Sequence, residues 1–130
     1  MRDREIEAHR ERSLHSLGWA RRFIEENDHI MSIQASYMAA FHAAKAALGH
    51  LGIRSKYHTS VLRRLEDLVR EGSLPTGVDD TLQVLFSRRN DAAYRVARGQ
   101  WTEDDSSEAL ALAEGFLGEM RIVIEDPRCR

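Results

Sequence analysis

A chain of 130 residues, 42% of them hydrophobic and 31% charged, is long enough to bury one core, too short for two and too apolar to remain unfolded. Its formal net charge of −2 excludes capture of nucleic acid by overall charge, so any such binding needs a local patch. The one cysteine, Cys129, excludes a disulfide framework, and no apolar run approaches the roughly 20 residues that span a bilayer.

The N-terminal "MRDREIEAHRERS" is charged throughout and lacks the apolar stretch of a signal peptide, which predicts a cytoplasmic protein with no membrane contact. Alanine, leucine, arginine and glutamate dominate, β-branched residues are sparse, and linkers and repeats are absent. These features predict a single all-α domain over residues 1–130.

The first helix is predicted from about Arg4 to Glu26, with Leu14, Leu17, Ala20 and Ile24 at helical spacing. Asn27 or Asp28 can cap the second, about His29 to Leu51, whose stripe is Ile30, Ile33, Tyr37, Phe41, Ala44 and Leu48. Alanines crowd around that stripe, and so many small side chains suit a helix in the middle of a bundle. Gly52 ends it. Ser55 can cap the third helix, about Lys56 to Glu71, with a stripe of Val61, Leu62, Leu65, Leu68 and Val69 and a stop at Gly72.

Pro75 marks a turn before the fourth helix, about Val78 to Arg98, which stops at Gly99. "TEDD" from Thr102 has the form of a capping box and opens the fifth, to about Glu125. The apolar arc of the fifth, from Ala109 to Ile124, is wide enough to need contacts on two sides, from neighbouring helices or a second subunit. Short connections favour antiparallel neighbours, hence an up-and-down bundle of four to five helices.

One residue is out of place. Leu82, Leu85, Arg89, Ala92 and Val96 follow a 3-4-3-4 spacing and fall within an arc of about 80°. Arg89 therefore lies on the face that should bury. A guanidinium taken out of water costs several kcal/mol unless paired, so it needs a carboxylate, a phosphate or a wet cleft. The alternatives at this stage are a structural salt bridge, for instance with Glu66 or Asp67, and an anion site at a helix seam or subunit junction. Asn90 and Tyr94 lie a turn apart on the flank of the same helix. Tyr37 lies in the second-helix stripe, while His42 and Lys45 share one flank of that helix with Met38. His58 falls in the arc of Val61, Leu62 and Leu65.

The six histidines include no H-E-x-x-H pattern, paired cysteines are absent, and neither a P-loop nor G-x-G-x-x-G nor G-x-S-x-G occurs. No metal or cofactor is therefore predicted. Phosphate recognition, if present, rests on side-chain cations, among which arginine offers a bidentate fork.

"SYMAAFHAAKAAL" (36–48), "KYH" (56–58), "LP" (74–75) and "LF…R…AAY" (85–94) occur in an order and spacing that resemble HEPN-domain proteins. The likeness covers about residues 30–120 and is nearest the small stand-alone branch, with R-x-x-A-D-Y in place of R-x(4–6)-H. The resemblance implies a compact helical bundle that pairs as a homodimer and handles RNA or nucleotides. It also implies a bacterial toxin–antitoxin or defence setting beside a nucleotidyltransferase partner.

In active ribonucleases of the superfamily the R-x(4–6)-H motifs meet across the dimer and cleave RNA without metal. Here Arg89 falls on the motif arginine and Asn90 on the polar residue after it, but the histidine position falls on Tyr94, Arg95 or Val96. Ala93 replaces the aspartate of R-x-x-A-D-Y and Met38 the second tyrosine of the second-helix motif, whereas Tyr37, His42, Lys56 and His58 match.

The implied nucleotide or RNA site is Arg89, Asn90, Tyr94, Tyr37, Lys45 and Lys56, with Arg89, Tyr94, His42 and His58 as the candidate catalytic groups. The leading expectation is a homodimeric HEPN-type protein that binds RNA or a nucleotide phosphate. The alternatives are a metal-independent endoribonuclease toxin and a non-catalytic interaction scaffold.

Overall fold

The computed structural model describes residues 2–94 and 101–126, and among them every regular element is helical. The helices are α1 (Arg2–Glu25), α2 (His29–His50), α3 (His58–Arg70), α4 (Val78–Tyr94) and α5 (Glu103–Glu125). The predicted run of the fourth helix from Arg95 to Arg98, its stop at Gly99, and Cys129 lie outside the described residues.

The helix ends follow from local chemistry. Asp28, not Asn27, caps α2 by accepting from the Met31 N–H at 3.2 Å. Asn27 instead takes the left-handed turn, φ 59°, a conformation its short polar side chain tolerates. Gly52 and Gly72, with φ of 81° and 80°, reverse the chain after α2 and α3. Thr102 and Asp105 form the reciprocal capping box of α5. At α3 the outcome differs from expectation. The helix begins at His58 with Tyr57 in the extended N-cap position, so Ser55 does not cap it and Lys56 stays in the connection.

Helix α2 packs against all four other helices. Its partner α1 runs antiparallel to it, and two buried hydroxyls mark the register: Ser13 donates to the Ala39 carbonyl at 2.7 Å and Ser32 to the Ala20 carbonyl at 2.8 Å. Leu14, expected in the α1 stripe, is 66% exposed, because Ser13, Leu17 and Ala20 form the buried line one helical step round. The ion pairs Arg10–Glu125 and Arg21–Glu114 run α5 antiparallel to α1 and hence parallel to α2. Parallel helices touch here because both offer alanine: Ala43 and Ala44 of α2 and Ala109 and Ala113 of α5 are buried in one cluster. Of the wide arc of α5, Ala109, Ala113, Phe116, Met120 and Val123 are buried within the chain, where α5 packs on α2, α4 and α1, and Leu110, Leu117 and Ile124 are only half-buried. Val61 and Leu65 of α3 and Leu82 and Leu85 of α4 complete the core. Each such aliphatic side chain contributes roughly 1.5–3 kcal/mol by leaving water.

Candidate functional site

On α4 the buried positions are Val78, Leu82, Leu85 and Ala92, and Arg89 lies among them half-buried. The guanidinium carbon lies 5.6 Å from the centroid of the Tyr37 ring on α2. Nη1 donates to Asn90 Oδ1 at 3.1 Å. Among the described residues Arg89 enters no ion pair; Asp67 is taken by Arg70 at 3.4 Å, and Glu66 is exposed. A half-buried cation is thus balanced by a ring face and an amide rather than by a carboxylate.

The ring beneath it belongs to a continuous aromatic series. Tyr37 contacts Phe86 at 5.6 Å and Phe41 at 5.8 Å between centroids. His58 lies 4.1 Å from Phe86, the Lys45 ammonium 5.6 Å from the Phe41 centroid, and His42 meets the edge of Phe41 at 5.7 Å. Arg89, Asn90 and Tyr37 are therefore in direct contact, with His58 one ring away on one side and Lys45 and His42 one ring away on the other. Tyr94, the last described residue of α4, is 79% exposed and makes no ring contact or hydrogen bond among the described residues.

Beyond Phe41, His42 is hydrogen-bonded to His9 of α1 through Nδ1···Nδ1 at 3.0 Å, with the rings stacked 5.2 Å apart. One Nδ1 must carry the proton and the other accept it. Burial, then the neighbouring His9, Arg12 and Lys45, hold the His42 pKa down at about 4. Burial and Lys45 lower His9 as well, although Glu5 opposes them. Burial pushes the Tyr37 phenol up to about 12, an effect that Arg89 only partly offsets. At neutral pH His42 and Tyr37 are both uncharged, and neither titrates near 7.

His9 leads into a cleft of about 320 Å³ between the first turns of α1, the end of α2 and the connection to α3. Lys45 and Lys56 both line it. No group of three or more histidine, cysteine, aspartate or glutamate side chains suited to a metal occurs among the described residues.

Sequence reasoning singled out Arg89, Tyr37, Lys45 and Lys56 but missed Phe86, which joins His58 to Tyr37, and His9. Phe86 carried a usable signal, lying one turn before Arg89 and on its flank. His9 carried none, since pairing it with His42 requires the register of α1 on α2.

A protein-family model described as the HEPN domain matches residues 6–123. No curated protein is similar enough to the chain to count as a match.

Proposed function

We propose, for a chain that belongs to the HEPN domain family, that the surface around Arg89 binds the phosphate of RNA or of a nucleotide and does not cleave it. The observation that carries this reading is the state of Arg89: half-buried, held over Tyr37, and outside every ion pair among the described residues. A structural salt bridge would have consumed the charge. Here the guanidinium keeps donors for an anion, and phosphate suits its fork. Asn90 orients one edge of that fork, and exposed Tyr94 offers a phenol on the same helix.

Binding is favoured over cleavage by the proton affinities around it. Attack by a 2′-hydroxyl needs a base and an acid with pKa near the working pH. Tyr37, at about 12, holds its proton too tightly, and His42, at about 4, holds one too weakly and is engaged by His9. His58 is the histidine on the Arg89 side, its ring tilted against Phe86 at 4.1 Å between centroids. Family membership supports the rest of the proposal: a homodimer, in a toxin–antitoxin or defence module, with a nucleotidyltransferase-type protein as partner.

The test is incubation of the purified protein with total RNA in EDTA, beside Arg89→Ala, with binding of a labelled oligoribonucleotide followed in parallel. Intact RNA, and an affinity that falls with salt and drops at least tenfold in the variant, is the expected result. Cleavage that survives EDTA and is lost in Arg89→Ala makes the protein an endoribonuclease instead, and His58 the next residue to replace. Absence of both binding and cleavage leaves a scaffold and overturns the proposal.

A further inference from the structure

The chain has only two lysines among its 19 lysine and arginine residues, and both line the same cleft. The carboxylate in that cleft, Glu5, is held by Arg54 at 3.0 Å, whereas no ion pair among the described residues takes up Lys45 or Lys56. The floor is apolar, from Ile6, Leu48 and Ile53. Close approach of α1 is allowed by Gly49, where an added Cβ would lie 3.3 Å from Ile6.

Lys45 belongs to this cleft and to the Arg89 surface at once. Its ammonium lies over Phe41, Phe41 stacks on Tyr37, and Arg89 covers Tyr37. Tyr37, Phe41 and Lys45 are successive i, i+4 positions, so they track along one side of α2 over about 12 Å of helix axis. A single phosphate group has no means of touching cations at both ends of that track. A strand whose phosphates repeat along its length does.

We infer that the lysine cleft is a second phosphate subsite for single-stranded RNA, continuous along α2 with the Arg89 surface. The inference rests on the phosphate-binding reading of Arg89 and adds to it the form of the ligand, an extended strand rather than a mononucleotide. Lysine suits the role, because an ammonium on a flexible stem follows a backbone without demanding one geometry. Tyr37 is buried, so the rings act here as a spacer that fixes the cations along α2, and the cations themselves track the backbone of a single strand without sequence preference. The histidine pair reports the same field, since Lys45 and Arg12 both disfavour a proton on His9 and His42.

The test compares uridine monophosphate, diuridylate and a dodecamer of uridylate on wild type, Arg89→Ala and the Lys45→Gln/Lys56→Gln double variant. Anisotropy is read across a salt series, and unchanged thermal unfolding shows that each variant is folded. The dodecamer is expected to lose about tenfold in affinity on the double variant. Its slope of log K against log salt should shrink by about 1.4 for two lost single-strand contacts. Diuridylate, which reaches only Arg89, should be unaffected. Reductive ¹³C-methylation labels Lys45, Lys56 and the α-amine, keeps their charge, and should show both lysine signals moving with the dodecamer.

Dodecamer binding that needs Arg89 but ignores the double variant, with unmoved lysine signals, overturns the cleft and leaves the Arg89 reading standing. Lysine signals that move as far with uridine monophosphate as with the dodecamer make the cleft a separate nucleotide site and overturn the continuity. No binding of any probe by wild type overturns both.

Discussion

Two sides of α2 solve different problems with different residues. Toward α1 it offers Ala39, Ser32 and neighbouring small side chains, and the helices approach until serine hydroxyls reach across to backbone carbonyls. Toward α3 and α4 it offers Tyr37 and Phe41, and the contact runs through ring faces to His58, Phe86 and Arg89. The first seam is lined by small, fully buried side chains. The second leaves a cation and an amide at its margin. A fold that needs both rigidity and a place for a ligand gains from putting them on opposite sides of one helix.

The sharpest way to test that contrast is to add volume to the tight seam and remove it from the aromatic one. Ala39→Leu is expected to cost about 3 kcal/mol, because Ala39 is fully buried and a larger side chain must displace the packed neighbours around it. Phe41→Leu, at a half-buried ring, should cost about 1 kcal/mol. Urea unfolding of the two variants measures both, and equal losses would break the comparison.

Acid gives the next largest effect. The folded state holds His42 near 4 and lowers His9, while an unfolded histidine titrates near 6.5. Between those values the unfolded chain binds more protons, so stability is complete above about 6.5 and is lost as pH falls toward 4. Allowing for solvent screening at a half-buried pair, the loss is on the order of 1–2 kcal/mol. Unfolding midpoints at pH 7.5 and pH 5 should show it, and His42→Gln should flatten the dependence. A pH-independent midpoint would remove the histidine pair from the α1–α2 seam as a working contact.

The smallest effects separate serines that look alike in the sequence. Ser13→Ala and Ser32→Ala should each cost about 1 kcal/mol, the net worth of a buried hydrogen bond. Ser36 is equally buried, yet its Oγ has no partner among the described residues, so Ser36→Ala should be neutral or slightly stabilising. Thermal unfolding of the three variants distinguishes them.

The helices were legible because their causes are local. The alanine-rich stretch around Tyr37 announced a central helix, Thr102 with Asp105 announced a cap, and the α5 arc announced its neighbours. Arg89 was legible as an anomaly, since one cation in a run of leucines breaks an angular pattern that can be counted. What the cation faces was not legible, because Tyr37 is fifty-two positions away and its approach depends on how α4 lies on α2. Leu14 misled for a related reason. A stripe read from hydrophobicity passes over a serine that buries because its hydroxyl finds a carbonyl. Lys45 was legible only as a neighbour of His42 on one flank of its helix and Lys56 only through resemblance, and the turn at Gly52 brings them to one cleft.

The two serine bonds between α1 and α2 carry a mechanical consequence. Each pins one hydroxyl to one carbonyl, seven residues apart on both helices, so α1 can neither slide along α2 nor roll against it without breaking at least one of them. The pair behaves as a single braced strut. Among the described residues helix α3 has no such brace: it leans on α2 and α4 alone, and it hangs from the connection that carries Lys56. The cleft therefore joins a braced pair of helices, which supplies Glu5, Ile6, His9 and Lys45, to an unbraced connection, which supplies Ser55 and Lys56.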